Sequence, residues 1–257
     1  MSVSNVDAAQ FDIGRVISRT VGLISRNAVP FGILSLLFAG APYFIIQMMM
    51  PSLIQGDPSM LGTVMILGAL VSLVAGMVLQ GALTRASIDD LSGAGANVSA
   101  ALSAAVAVLL PMVGLGILMG LGIGVGMMLL LVPGIYLALC WAVSAPVLVV
   151  ERLGIVGSMK RSTALTQNHR WAILGLVVLF VVIVILINLI VGFLIPGGAM
   201  ALMGLPGEGT PYLAFIVLTG VQVFTSMIAT AGVASIYFEL RQVKDGLGVT
   251  DLAKVFA

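Results

Sequence analysis

Three long apolar runs make up most of the chain, and short polar stretches separate them. The runs cover residues 27–84, 86–151 and 171–240, and none of them contains Lys or Arg. Only Asp57 and Glu208 interrupt the middle of a run. A helix that crosses a bilayer needs about 20 apolar residues, so each run is long enough for two crossings with a turn between them. The pattern predicts an all-α, polytopic membrane protein with six transmembrane helices, arranged as three hairpins.

Proline, glycine and charged positions indicate where four of these helices end. We expect helix 1 to close on Pro51, and helix 2 to give way to an inner connection that begins at Arg85. An outer loop with five glycines is expected over residues 196–211. The predicted spans are residues 28–50 for helix 1, 60–83 for helix 2, 171–195 for helix 5 and 212–238 for helix 6.

The middle run offers two positions for its turn. Residues 91–150 carry no charge and are long enough for two helices. A turn in the glycine-rich stretch near Gly124 would leave Pro133 inside helix 4 as a kink. A turn close to Pro133 leaves sixteen residues, 135–150, for helix 4. We favour the second arrangement, with a long helix 3.

Residues 11–27 have the spacing of an amphipathic helix. Apolar side chains repeat at helical intervals, and Arg15, Arg19 and Arg26 project within an opposite sector. Such a helix either lies in the membrane interface with its arginines on anionic headgroups, or packs on the inner face of the bundle. A second short helix is expected over residues 158–167, which lack Gly and Pro.

Basic residues set the expected orientation. All eleven fall in four short stretches between or beside the apolar runs. Because cytoplasmic loops are enriched in Lys and Arg, we expect every basic stretch, and both termini, in the cytoplasm. The predicted organisation is a cytoplasmic N-terminus with its amphipathic helix over 1–27, a membrane domain over 28–238 and a cytoplasmic tail over 239–257. A net charge of +1 gives no sign of a nucleic-acid partner.

Residues suited to catalysis are scarce. His169 is the only histidine, and Cys140, the only cysteine, lies in an apolar run. No metal-ligand spacing is present, and no ionisable residue lies in the middle of a predicted span, where ion-driven carriers usually need one. The sequence therefore predicts no enzyme, no cofactor and no ion-coupled transport.

Two sets of residues are candidates for interaction. Basic side chains next to the bilayer can hold lipid phosphate through charge-assisted hydrogen bonds. The candidates for lipid-headgroup binding are Arg15, Arg19, Arg26, Lys160, Arg161 and Arg170. Small residues four apart let helices approach closely. The candidates for helix packing are Gly116, Gly120, Gly122, Gly124 and Gly126. Their partner helix belongs either to the same chain or to a second copy, so a homo-oligomer or another membrane protein is an expected partner besides lipid.

Polar residues within the spans distinguish two kinds of protein. Gln80, Asn188 and Gln222 lie within predicted spans. In a transporter for a neutral or lipid-like solute, these side chains should line a polar cavity. In a structural or interaction protein, they should hydrogen-bond to neighbouring helices instead.

Two segments and both ends of the chain carry a resemblance to known proteins. The first segment contains Leu131, Val132, Pro133, Gly134, Ile135, Tyr136, Trp141, Pro146 and Glu151. The second contains Lys160, Arg161, Ser162, Ala164, Leu165, His169, Arg170 and Trp171. The ends are residues 11–31 and the group Ile236, Tyr237, Phe238, Glu239, Leu240, Arg241, Lys244, Asp245 and Gly246. Over nearly the whole chain, this pattern resembles the bacterial multi-pass family that includes the membrane domain of glycerophosphoryl diester phosphodiesterases.

This resemblance implies a bacterial inner-membrane protein with six helices and a link to envelope lipids. The catalytic barrel of those phosphodiesterases has no counterpart among the predicted elements, so its hydrolytic activity is not implied. We expect a non-catalytic integral membrane protein of envelope or lipid physiology, as an oligomer or as a subunit of a membrane complex. The alternative is a transporter or channel-like protein for a lipid-like or neutral solute.

Overall fold

The structure is a computed structural model that describes residues 11–55, 58–194 and 212–246, and those residues are helical apart from short turns. The helices are α1 (Ile13–Arg26), α2 (Ala28–Ser35), α3 (Ala41–Gln55), α4 (Pro58–Leu91), α5 (Val98–Ala107), α6 (Leu109–Leu129), α7 (Leu131–Cys140), α8 (Ser144–Glu151), α9 (Gly154–Thr166), α10 (Arg170–Leu194) and α11 (Tyr212–Asp245). A single π-helical turn, Leu36–Gly40, joins α2 to α3.

Six helical segments in the described part of the chain are long and apolar enough to cross a membrane. They are Ala28–Met50, Leu61–Leu91, Leu109–Leu129, Leu131–Glu151, Arg170–Leu194 and Tyr212–Asp245. Many of their large apolar side chains are exposed, and most of those on α10 have 40–56% of their surface open. A surface of this kind is stable only in lipid. The predicted fold class, a six-span all-α membrane protein, is confirmed.

Helices α4 and α11 extend beyond their predicted ends. The expectation that an inner connection begins at Arg85 is wrong, because α4 continues to Leu91. An i,i+4 ion pair between Arg85 and Asp89, with Nε and Oδ2 at 3.0 Å, supports the charged last turns. In α11, Arg241 and Asp245 form the equivalent pair at 3.3 Å. Residues 239–245, predicted as a tail, are therefore helical.

Prolines explain the internal breaks. Pro30, Pro111 and Pro133 are each the third residue of a helix, α2, α6 and α7 respectively, and the preceding helix ends four residues before each of them. A proline ring clashes with the carbonyl of residue i−4, yet it is tolerated in a first turn, where its missing N–H would have no helical partner. The turn expected close to Pro133 is confirmed at Leu130, which is extended. The expected long helix 3 is divided into two helices, because Val108 separates α5 from α6.

Other boundaries differ by smaller amounts. Helix α3 passes through Pro51 and ends at Gln55, consistent with the tolerance of proline in membrane helices whose neighbours satisfy the freed carbonyl. The short helix expected over 158–167 is present as α9, which begins earlier, at Gly154. The predicted loop over 196–211 and the chain end after residue 246 lie outside the described residues.

Helix α11 is the centre of the bundle. One core joins its buried Tyr237 and Leu240 to Val16 of α1, Val147 of α8 and Ile173 of α10. A second core places Met227 of α11 with residues of α2, α4 and α5: Phe31, Leu34, Leu79, Ala82, Leu83, Ala86, Ala101 and Ala105. Because both cores contain α11 and α4, these two helices hold the α1–α3 segment and the α8–α10 segment together.

Helix α1 packs on the bundle along α11. Asp12 caps it by accepting hydrogen bonds from the backbone N–H groups of Gly14 and Arg15. Val16 and Leu23 are fully buried, whereas Val21 keeps 61% of its surface exposed. Packing on the bundle, one of the two interpretations offered for residues 11–27, is thus present. Contact of the exposed apolar positions with lipid stays a prediction.

Candidate functional site at the charged end of the bundle

Ion pairs between helices bring the basic stretches to one end of the bundle. Arg26 of α1 reaches Asp90 of α4, with Nη2 and Oδ2 at 2.6 Å. Arg161 of α9 reaches Asp245 of α11, with Nη2 and Oδ2 at 2.5 Å. Asp90 and Asp245 each lie in the last turn of their helix, so those helix ends meet. We refer to this region as the charged end.

Glu239 joins α1 to α11. Its side chain is only 1% exposed, and its Oε1 accepts hydrogen bonds from Arg15, at 2.9 Å from Nε and 2.7 Å from Nη2. Its Oε2 accepts from Nη1 of Arg19 at 2.5 Å. The Arg19 guanidinium also lies over the Phe238 ring, 5.0 Å from its centroid. A buried carboxylate is tolerated only when paired in this way, so Glu239 anchors α1.

A second polar chain joins α8, α9 and α11. The hydroxyl of Tyr237 donates to Oε1 of Glu151 at 2.9 Å, and Arg161 Nε donates to Oε2 at 3.2 Å. Arg241 donates from Nη1 to the Tyr237 oxygen at 3.2 Å and from Nε to Asp245 at 3.3 Å. Each buried polar group of this second polar chain, which links the three helices, has a hydrogen-bond partner. The arrangement is that of a structural network rather than an open reaction centre.

The six predicted headgroup ligands therefore divide into two groups. Arg15, Arg19, Arg26 and Arg161 bind carboxylates of the chain itself. Sequence reasoning missed these carboxylates, although an acidic residue stands within or beside each basic stretch and could have signalled the pairing. Within the described ranges, Lys160 and Arg170 form no ion pair with a carboxylate.

Arg170 lies at a groove between α7 and α10, here called the Arg170 groove. Its volume is about 490 Å³, and its lining residues are Val132, Ile135, Tyr136, Leu139, Asn168, Arg170, Trp171 and Leu174. The Arg170 guanidinium lies over the Tyr136 ring, 4.6 Å from its centroid, and donates through Nη1 to the Tyr136 hydroxyl. Its Nε is buried without a hydrogen-bond partner. The groove thus combines an apolar wall with one cation that no carboxylate neutralises.

Lys160 lines a separate, shallower groove of about 410 Å³. Its neighbours are Leu118, Trp141, Val156, Met159 and Thr163. Lys160 and Arg170 therefore do not share one site, and a lipid held by both through a single phosphate is not supported by this geometry.

His169 is a packed side chain beside the charged end. Its ring stacks against Phe11 with centroids 5.5 Å apart. Partial burial, and secondarily the charge of Lys244, lower the pKa of His169. Both effects favour the neutral ring, so its protonation on acidification would oppose its packing against Phe11.

The candidate packing glycines have different surroundings. A Cβ added at Gly116 would meet Met77 of α4 at 2.8 Å, and one at Gly122 would meet Trp141 at 2.6 Å. At Gly126 it would lie 2.9 Å from the backbone of Gly134. These three contact helices of the same chain. Gly120 and Gly124 have no such neighbour within 4 Å, so contact with a second copy stays a prediction for them.

The polar residues within the spans also separate. Asn188 donates to the backbone carbonyl of Val184 at 2.7 Å, within its own helix. Gln80 and Gln222 instead line one cavity between α3, α4 and α11. A cavity walled by these glutamines is the feature that sequence reasoning required of a transporter.

Comparison with known proteins supports the resemblance noted in the sequence. A family described as the membrane domain of glycerophosphoryl diester phosphodiesterase matches residues 117–247, about half of the chain. No curated protein and no solved structure matches the chain. The matched region contains α7 to α11, including the Arg170 groove and the polar chain around Glu151. The chain belongs to the family of membrane domains of glycerophosphoryl diester phosphodiesterase.

Proposed function

We propose that this chain is a non-catalytic integral protein of the bacterial cytoplasmic membrane that acts in lipid physiology by binding an anionic phospholipid in the Arg170 groove. The lipid phosphate would lie on Arg170, and an acyl chain would follow the apolar wall between α7 and α10. The observation that carries the proposal is the contrast among the five candidate arginines: four meet carboxylates of the chain, whereas Arg170 meets none among the described residues.

The chemistry of the groove fits this ligand. Arginine recognises phosphate through its planar set of donors, and among the described residues the Arg170 guanidinium donates to the Tyr136 hydroxyl and to no carboxylate. Trp171 is 86% exposed beside it, as expected of an aromatic side chain at headgroup depth. The family description names an enzyme of glycerophosphoryl diesters, and a phosphodiester is the group that this proposal places on Arg170.

Retained lipid, measured by native mass spectrometry of protein released from membranes, tests this role. Arg170→Gln removes the charge and should weaken phospholipid retention about tenfold, since a hydrogen bond to a charged group contributes about 1.5–3 kcal/mol. Arg26→Gln is the matched control, because it removes an exposed guanidinium that pairs with Asp90. Equal retention by both variants and the parent protein, or equal loss in both, would refute the proposed site.

Orientation is the second part of the proposal: the charged end, and with it both termini, would face the cytoplasm. The ion pairs support a single side for the basic stretches, and the excess of Lys and Arg favours the cytoplasmic one. In a Cys140→Ala background, Lys160→Cys in intact cells should resist a membrane-impermeant thiol reagent and should react once the membrane is opened. Gly207→Cys, in the predicted outer loop, should react in intact cells. The reverse pattern would overturn the orientation.

A further inference from the structure

A cavity of about 340 Å³ lies between α3, α4 and α11 and does not include Arg170 or its neighbours. Its polar lining residues come from all three helices. They are Tyr43, Ser72, Gln80, Gln222, Ser226 and Thr230. We call it the amide cavity. None of its lining residues is charged, so it cannot balance the charge of an ionic ligand.

The two amide side chains of the cavity lack partners among the described residues. Tyr43 accepts a hydrogen bond from Gln47 at 2.8 Å, and Ser226 donates to the carbonyl of Val223 at 2.8 Å. The side-chain amides of Gln80 and Gln222, by contrast, make no hydrogen bond to another residue of the described ranges. An amide without a partner at membrane depth costs roughly 1–3 kcal/mol. Gln80 is half-buried and Gln222 is exposed, so water or a solute in the cavity can reach both amides.

The wall of the amide cavity contains an irregular turn. Phe38 and Ala39, which line it, belong to the π-helical turn Leu36–Gly40. Gly40 of that turn lies so close to α11 that an added Cβ would be 2.8 Å from Val223. Isolated π turns are frequent at functional sites, because they alter the direction of side chains within a helix. Here the turn lies where α2 becomes α3, beside the cavity.

Gln80 borders a second cavity as well. That cavity, of about 280 Å³, lies between α4, α6 and the α7–α8 segment, and its lining includes Met112, Gly116 and Trp141. The Gln80 side chain therefore borders both cavities. A solute in the amide cavity would meet Gln80 before it could enter the second cavity.

We propose that the amide cavity binds a small uncharged solute rich in hydroxyl groups, a polyol, held by the amides of Gln80 and Gln222. Each amide supplies two donors and one acceptor, which matches a ligand whose hydroxyls both donate and accept. The volume lies within the range typical of small-molecule sites, about 300–1,000 Å³. The site is independent of the lipid role proposed for Arg170.

Reactivity of a single introduced cysteine tests this site. In a Cys140→Ala background within lipid nanodiscs, Ser226→Cys should react with a water-soluble thiol reagent at least about tenfold faster than Val182→Cys on the lipid-exposed face of α10, because the thiolate forms only where water reaches it. Sorbitol should slow the reaction of Ser226→Cys several-fold. Gluconate, which is similar in size but carries a carboxylate, should not.

Further variants identify the residues and separate the outcomes. Adding Gln80→Leu or Gln222→Leu should abolish protection by sorbitol, whereas Asn188→Leu, which removes an amide outside the cavity, should leave it intact. Arg170→Gln should also leave it intact, which distinguishes failure here from failure of the lipid proposal. Three results would each overturn the proposal. The first is an equal reaction rate for Ser226→Cys and Val182→Cys, and the second is equal protection by sorbitol and gluconate. The third is protection that depends on protein concentration and not on sorbitol. The last result would indicate a second copy in the cavity.

Discussion

Glu239→Gln should lower the free energy of unfolding by about 3 kcal/mol, the magnitude typical of breaking a buried ion pair by removing one partner. The Glu239 side chain is 1% exposed and holds both Arg15 and Arg19. Glutamine keeps the shape but loses the charge, so Arg19, which is 22% exposed, would stay partly buried without a counter-charge. Unfolding in mixed micelles, followed by helical circular dichroism, measures the loss.

Asp90→Asn is the control for Glu239→Gln, since it also breaks an ion pair between α1 and another helix. Its partner Arg26 is 57% exposed, and solvent screens such a pair, so the expected loss is below about 1 kcal/mol. Release of α1 in the Glu239 variant should also speed tryptic cleavage after Arg15 and Arg19. Equal stability losses in the two variants would show that burial of Glu239 does not set its contribution.

Gly134→Ala should be the other strongly destabilising change, with a loss of about 3 kcal/mol, at the upper end for overpacking. A methyl group at this position would lie 2.5 Å from Cγ of Met127 and 2.7 Å from its backbone nitrogen. Backbone atoms cannot rotate away as a side chain can, so α6 and α7 would have to separate. Thermal unfolding of the purified variant in detergent measures the effect.

Gly124→Ala is the matched control. It adds a methyl group to α6, the partner helix of the hairpin, at a position where no atom of another helix lies within 4 Å. Alanine is favoured over glycine in a helix by about 0.5–1 kcal/mol, so this variant should be as stable as the parent protein or slightly more stable. Destabilisation of Gly124→Ala to the same degree as Gly134→Ala would contradict the packing of the α6–α7 hairpin described above.

Helix boundaries show how far sequence reasoning extends. The turn near Pro133 was predicted correctly, and the break at Val108 could have been predicted from Pro111 by the same rule, since a proline ring clashes with the carbonyl four residues before it and often ends a helix there. The ends of α4 and α11 were placed too early because hydropathy falls where charge begins, whereas the helix itself continues. Charges three or four residues apart, such as Arg85 and Asp89, support those last turns.

The candidate sites were less predictable. Arg15 and Arg170 were both candidates for lipid-headgroup binding by sequence. The fold places Arg15 on Glu239, 224 residues further along the chain, and Arg170 against Tyr136. Gln80 and Asn188 are likewise equivalent as single amides within a span, yet Gln80 lines the amide cavity and Asn188 donates to a carbonyl of its own helix. No local pattern distinguishes the members of either pair.

The sequence by itself determined the class, the number of spans and the grouping of the basic residues, because the lipid bilayer acts on each segment separately: its thickness sets the apolar length, and the cost of burying charge excludes Lys and Arg from the spans. Only the tertiary structure decided which cations meet carboxylates, which amides lack partners and which glycines touch another helix. Those properties depend on contacts between residues that are far apart in the chain, and such contacts exist only once the helices have packed.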